Sequence, residues 1–292
     1  MRTRGTLVIV ALAMASCATA HSAKGLLLRY KYTPGTSEKY AMRAIVTIRV
    51  TGCKQAPPEV ENITMNGTVT IKRTAVTAAG VATQEIKFNE MELVGHGMKI
   101  AYKNGKMSTT TDGKPMPMTK EEQAQTVDMS LKQKVDTRGQ VVGGVEGTGA
   151  SFGMGPFGSD QMAAVFPKSP VSPGQKWSQT MKMTPRAPHG VAITVDMTYR
   201  FAGFERYKGA DVARITFEGK GNAVAMPKGM PAVMADVNRT LSGYELFDYK
   251  MGVARYVEVN SHNLAKPRPA AGKPPYGTMT VTMVGYMEII PQ

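Results

Sequence analysis

The chain predicts an all-β fold, and three observations predict it. Apolar residues recur at every second position over several long stretches, turn-forming dipeptides separate those stretches, and helical periodicity is rare by comparison. Successive side chains of a strand point to opposite sides, so the alternation implies long strands with one apolar and one wet face. The expected architecture is two related antiparallel β-meanders, as curved sheets or half-barrels, with one or two short helices.

The N-terminus reads as an export signal. Arg2 and Arg4 form a charged start, and Leu7 to Ala15 form an apolar stretch too short to span a bilayer. Residues 1–20 are therefore expected to be a signal peptide. Two processing outcomes stand side by side. Ala18-Thr19-Ala20 is a small-x-small cleavage site, and Met14-Ala15-Ser16-Cys17 resembles the lipobox of bacterial lipoproteins, in which the cysteine, here Cys17, becomes the lipidated N-terminus. No later segment is long and apolar enough to cross a membrane as a helix. The mature chain is thus expected in the periplasm or outside the cell, free or membrane-anchored through a lipidated Cys17.

Residues 21–142 are expected to form the first meander. Tyr40, Met42, Ala44, Val46, Ile48 and Val50 alternate with Lys39, Arg43, Thr47 and Arg49, and Ile63, Met65, Val69 and Ile71 alternate with Thr64, Asn66, Thr68, Thr70 and Lys72. Asn104-Gly105 and Arg138-Gly139 carry hairpin turn chemistry. A short helix is expected over Thr119–Thr126, where Thr119 caps Glu121-Glu122, and a second candidate is Asp160–Val165. Residues 143–161 are expected to be a linker or loop, rich in glycine and carrying Phe152 and Phe157.

Residues 162–292 are expected to form the second meander. Val191, Ile193, Val195, Met197, Tyr199 and Phe201 alternate with Thr194, Asp196, Thr198 and Arg200, and Met279, Val281, Met283, Met287 and Ile289 alternate with Thr278, Thr280, Thr282 and Glu288. Met251-Gly252 marks a hairpin between Tyr244–Tyr249 and Val253–Val259. The two halves carry a faint repeat: Gly80 precedes Ile86-Lys87-Phe88 as Gly209 precedes Ile215-Thr216-Phe217, and Gly35 precedes Lys39-Tyr40 as Gly174 precedes Lys176-Trp177.

Composition narrows the function classes. With 292 residues, 42% of them hydrophobic, the chain is long enough to bury a sizeable core. One of its two cysteines, Cys17, lies in the leader, so Cys53 has no internal partner after simple cleavage and the fold rests on that core. In an exported protein a charge of +14 fits anionic lipid headgroups or an anionic envelope polymer rather than nucleic acid, although the basic residues are scattered, as solubility alone would have them.

A resemblance enters at Val165-Phe166-Pro167, Pro170-Val171 and Pro173-Gly174-Gln175-Lys176-Trp177, followed by Tyr199, Gly209 and Gly243-Tyr244-Glu245-Leu246 with Gly252. This pattern resembles an uncharacterised bacterial family, a domain of unknown function on exported all-β proteins and lipoproteins. The resemblance implies export and an all-β fold, and it implies no catalytic residue and no cofactor. At fold level alone, the expected curved sheet is also similar to periplasmic lipoprotein carriers, which hold acyl chains in an open half-barrel.

Acid–base or nucleophilic catalysis needs a base held beside a nucleophile. His21, His96, His189 and His262 are widely separated, and no nucleophile elbow, zinc-protease helix or phosphate-binding loop motif occurs. No enzyme activity and no cofactor is expected. Methionine stands out at 22 residues, with Met226, Met230 and Met234, then Met279, Met283 and Met287, at four-residue spacing. Thioethers are soft ligands for Cu(I), but they also fill adaptable cores and apolar grooves.

The functional expectation is a non-catalytic exported envelope protein that binds a lipid or other hydrophobic small molecule. Met197, Tyr199, Met279, Val281 and Met283 are the expected ligand-binding residues, with Phe152 and Phe157 as a lid. Two alternatives stay open: a Met-rich Cu(I)-binding periplasmic protein, and a structural or protein-interaction module.

Overall fold

The structure is a computed structural model that describes residues 25–51, 59–103, 105–116, 129–143, 146–147, 164–183, 192–225, 235–266 and 278–290. The described residues form strands and connecting segments and contain no helix. Both expected helices lie mostly outside them. Val165, the last residue of the second candidate, is described and is not helical.

Among the described residues, thirteen strands make one antiparallel sheet. In chain order they are β1 (Ser37–Thr51), β2 (Glu59–Val76), β3 (Ala82–Gly95), β4 (Met98–Lys103), β5 (Lys106–Thr111), β6 (Lys114–Met116), β7 (Ser130–Val135), β8 (Lys176–Met183), β9 (Ala192–Tyr207), β10 (Ala210–Ala225), β11 (Ala235–Asp248), β12 (Val253–Lys266) and β13 (Thr278–Ile290). Their spatial order is β6-β5-β4-β3-β2-β1-β13-β12-β11-β10-β9-β8, with β7 on the edge of β3 that β4 leaves uncovered. Strands consecutive in the chain are neighbours in the sheet from β1 to β6 and again from β8 to β13. The halves meet at β1 and β13, paired from Lys39 with Ile290 to Thr51 with Thr278, so the sheet continues across the middle and stays open at β6 and β8.

Alternation and burial agree strand by strand. On β1, Tyr40, Met42 and Ala44 are buried while Arg43 and Ile45 are exposed; on β9, Val195, Met197, Tyr199 and Phe201 are buried. The face that carries these residues is the inner face. It holds two apolar clusters, one built on β1 to β3 around Met42, Val69 and Phe88, the other on β9 to β11 around Tyr199, Phe201 and Phe247. Val259 of β12 touches both.

The hairpins fall where the turn chemistry put them. β4 and β5 pair up to Lys103 and Lys106 around Gly105, β11 and β12 up to Asp248 and Val253 around Gly252, and Val135 bridges Val141 around Gly139, with all three glycines at positive φ. Three tighter turns, His96-Gly97, Asp112-Gly113 and Lys208-Gly209, place both residues at positive φ, the geometry that matches strand twist in two-residue hairpins.

Candidate functional site

An open sheet with an apolar face must cover that face, because burial of apolar surface drives folding and a large exposed patch is unstable in water. Over the second half, the chain covers itself. Residues 25–32 and 164–171 run as two extended straps, joined to each other where Leu26 bridges Val171 in both directions at 2.8 and 2.9 Å. Leu28, Tyr30, Phe166 and Val171 pack from the straps onto the inner-face residues Tyr199, Phe201 and Phe247. Tyr30 stacks on Phe166 at 4.8 Å and meets Phe247 edge-on at 5.0 Å.

A buried carboxylate joins both straps to the sheet. Glu245 of β11 is fully buried; its Oε1 accepts from the Tyr30 hydroxyl at 2.8 Å and its Oε2 from the Ala164 N–H at 2.7 Å. Burial pushes its pKa up to about 7, with the two donors acting in the opposite direction. Burial, followed by the Glu245 charge, drives the Tyr30 pKa well upward, so this hydroxyl stays a donor. Trp177 adds a further tie, its Nε1 donating to the Val165 carbonyl at 2.7 Å, and Arg29 donates to the carbonyls of Pro167 and Lys168.

Toward the other end of β1 and β2 the inner face is less covered. Along β1, Tyr40, Met42 and Ala44 are at most 4% exposed, whereas Val46 and Ile48 are half-buried; along β2, Ile71, Val69 and Met65 are buried and Ile63 is half-buried. Opposite this stretch, across β13, lie two polar inner-face residues. Arg239 of β11 and Ser261 of β12 are 7% and 2% exposed, and the Ser261 hydroxyl has no hydrogen-bond partner among the described residues. The site assembled by this geometry is an apolar stretch with a buried polar end.

The outer face differs. Tyr244, Tyr256 and Tyr286 form a row across β11 to β13 with ring centroids 5.6 and 6.0 Å apart, and the Arg214 guanidinium lies 3.8 Å from the centre of the Tyr244 ring. Beyond Tyr286 a concavity of about 540 Å³ is lined by Arg43, Asn66, Glu90 and Lys103 among others. Glu92 pairs with Lys99 at 2.6 Å and Glu90 with Lys103 at 3.7 Å, exposed contacts of the kind that contribute little.

Of the sequence-derived site residues, Met197 and Tyr199 lie on the inner face of β9, enclosed within the second cluster beside Trp177 and Met181. Met279, Val281 and Met283 lie on β13, where the register sets them opposite Val50, Ile48 and Val46 of β1 and Ala265, Asn263 and Ser261 of β12. The expected lid residues Phe152 and Phe157, the lipidation candidate Cys17, and His21 and His189 lie outside the described residues. His262 is exposed on the outer face, 3.2 Å from the Thr282 hydroxyl, and His96 sits in a turn. Of the methionine groups, Met226, Met230 and Met234 fall outside the description, and Met287 pairs in register with Met42.

Glu245, Arg239 and Ser261 lie outside the site expected from sequence, where Glu245 enters only as part of the Gly243-Tyr244-Glu245-Leu246 pattern. Their signal was present in the alternation: along β11, Arg239, Leu241, Gly243, Glu245 and Phe247 share one parity, so two charges fall in register with an apolar face. Charges so placed are buried unless the strand ends before them. Among the described residues no group of His, Cys, Asp or Glu is arranged to hold a metal ion, and no helix is long and apolar enough to cross a membrane.

No family model matches the chain, and no curated protein does. Among solved structures, the chain is similar to lipovitellin, in a structure concerned with lipid–protein interactions, at a TM-score of 0.47 and 9% identity, over 89% of this chain and 26% of that one. The chain thus spans about a quarter of lipovitellin's length. It is also similar, at a TM-score of 0.22 and 9% identity over 91% of this chain and 89% of that one, to DynF from the dynemicin biosynthesis pathway of Micromonospora chersina. At these scores neither likeness carries functional weight.

Proposed function

We propose that this is a non-catalytic, exported envelope protein that binds a lipid or other hydrophobic small molecule on the inner face of its sheet. The observation that supports the reading is the loss of cover along β1 and β2: the same apolar parity is closed by the chain at Tyr40 to Ala44 and left half-buried at Val46, Ile48 and Ile63. An apolar face in water gains from an apolar occupant, by about 25 cal/mol for each Å² removed from water. The expected residues Met279, Val281 and Met283 lie on the strand between this stretch and the buried polar pair.

The rest of the reading comes from the sequence. Export to the periplasm or exterior, with cleavage after Ala20 or lipidation at Cys17, is proposed from the leader-like pattern of residues 1–20. The resemblance to exported proteins of unknown function fits that assignment, and the meander of each half fits two copies of one unit, with Gly35, Gly80, Gly174 and Gly209 all at positive φ. The test is native mass spectrometry of the protein from its own envelope fraction, then intact mass after denaturation. A lipid-sized adduct supports the carrier reading, a copper-sized increment supports the methionine site instead, and a protein free of any adduct supports an interaction module. The denatured mass separates a His21 terminus from an acylated Cys17.

A further inference from the structure

We infer that the concavity on the outer face, beyond Tyr286, binds an uncharged pyranose ring, stacked on Tyr286 and held by Arg43, Asn66 and Glu90. The site lies on the opposite side of the sheet from the apolar face, and it stands independently of the lipid-binding reading.

The sheet register builds the site. Tyr286 of β13 is paired with Arg43 of β1, Arg43 with Asn66 of β2, and Asn66 with Glu92 of β3, so four side chains make one row across the outer face. Two positions along each strand, Ala41, Thr68, Glu90 and Lys103 make a second row. Alternation puts both rows on the side opposite Met42, Met65 and Met91, which are buried. These residues line a concavity of about 540 Å³, with the short side chain of Ala41 leaving room beside Tyr286. Small-molecule pockets occupy about 300–1,000 Å³.

The aromatic wall is fixed in advance. Tyr286 ends the row of Tyr244, Tyr256 and Tyr286, and Tyr256 stacks on it with the ring planes 16° apart. Tyr256 lies on the β12 side of Tyr286 and the concavity on the β1 side, so the ring face turned away from Tyr256 meets the concavity. An aromatic face carries negative potential, and the axial C–H groups on the flat side of a pyranose present the complementary positive end. A ring already held by a neighbour gives up little freedom when a ligand stacks on it.

The polar groups decide the ligand class. Arg43 and Asn66 are exposed, and neither side chain has a hydrogen bond or ion pair among the described residues. Glu90 is loosely engaged, 3.4 Å from the Thr68 hydroxyl and 3.7 Å from Lys103. Arg43 offers donors, Glu90 acceptors and Asn66 both, which suits hydroxyls that donate and accept at once. The charges lining the concavity, Arg43 and Lys103 against Glu90 and Glu92, balance, so no net field favours an ionic ligand. Spacing sets the size: Tyr286 and the β2 residues Asn66 and Thr68 are two strand spacings apart, about 10 Å, which admits one saturated ring with a contact of about 3.5–4.0 Å on each side.

The experiment is titration of the full protein, followed by saturation-transfer NMR, with methyl β-glucoside, methyl β-galactoside, methyl α-mannoside and methyl N-acetyl-β-glucosaminide, and with methyl β-glucuronide as a charged counterpart. At least one of the four uncharged glycosides is expected to bind in the millimolar range, and the glucuronide no more tightly than the best of them. Tyr286→Ala should weaken that binding about tenfold, as loss of a stacked ring implies, while Tyr286→Phe keeps most of it. Asn66→Ala, at an exposed position where misfolding is not at issue, should weaken it severalfold. Binding of none of the four, a preference for the glucuronide, or undiminished binding in folded Tyr286→Ala or Asn66→Ala overturns the inference.

Discussion

The hydroxyl of Tyr30 donates to Glu245 Oε1 at 2.8 Å across 215 residues of sequence, in a site closed to solvent. Through this contact and the Ala164 N–H, one carboxylate holds two straps over the inner face of the second half. Burial costs favour the protonated acid, and the two donors favour the carboxylate.

This opposition makes stability fall as pH rises. Glu245 has its folded pKa raised from 4.5 to about 7, so the folded state binds more protons than the unfolded state between those values. Its contribution is fully present below about pH 4.5 and is lost as pH rises through about 7. Thermal unfolding followed from pH 5 to pH 8 should show Tm declining over this window, and Glu245→Gln, which stays neutral, should flatten the decline. A decline of the same size in Glu245→Gln assigns it to another group.

Tyr30→Phe keeps the ring in its stack and removes only the donor. The expected loss is about 1–3 kcal/mol, the range for a buried acceptor deprived of its partner, read by denaturant unfolding. Because the lost donor favoured the carboxylate, the pH at which stability declines should also move upward.

Two glycines separate backbone strain from crowding. Gly139 and Gly174 both sit at φ +88°, but a Cβ on Gly139 would lie 2.5 Å from the Tyr30 ring and 2.7 Å from the Ala164 carbonyl, whereas a Cβ on Gly174 meets nothing within 4 Å. Gly174→Ala should cost about 1–2 kcal/mol from conformation alone. Gly139→Ala should cost clearly more and loosen the strap, visible as a change in emission of Trp177, whose indole is bonded to Val165. Equal costs would contradict the placement of the strap against Gly139.

Methionine swaps divide the lipid and copper readings. Met279→Leu, Met283→Leu and Met287→Leu together conserve volume and remove the thioethers, so lipid uptake should persist with a stability change below about 1.5 kcal/mol per site. Tight copper retention by the wild type that the triple variant loses supports the Cu(I) site instead.

The long strands were the most legible part of this chain. In stretches such as Tyr40 to Ala44 and Val195 to Phe201, residues of one parity share one environment, and period-two patterning reads directly as a buried face. The turns at Gly105, Gly139 and Gly252 were legible because their glycines supply positive φ. Non-local pairing was not legible: nothing local says that β1 pairs with β13, which leaves one continuous sheet where two meanders alone would each have a free edge. The straps were hidden for the same reason. Leu28, Tyr30 and Phe166 carry no long alternation of their own, and their burial depends on a sheet face far away in sequence. Glu245 and Arg239 were overlooked because a charge on a strand is ordinarily taken to be solvated, and only its parity with Leu241 and Phe247 marks it as inward.

If the inner face binds a lipid, its half-buried stretch, rather than the sheet as a whole, takes the apolar chain. Val46 and Ile45 are adjacent on β1 and lie on opposite faces, Ile45 being 44% exposed on the outer side opposite Val284. The most direct measurement is native mass spectrometry of Val46→Asp and Ile45→Asp, each purified from the envelope and verified as folded by its melting curve. The lipid-sized adduct of the wild type should persist in Ile45→Asp and disappear in Val46→Asp. An adduct retained in Val46→Asp, or lost equally in both, would contradict it.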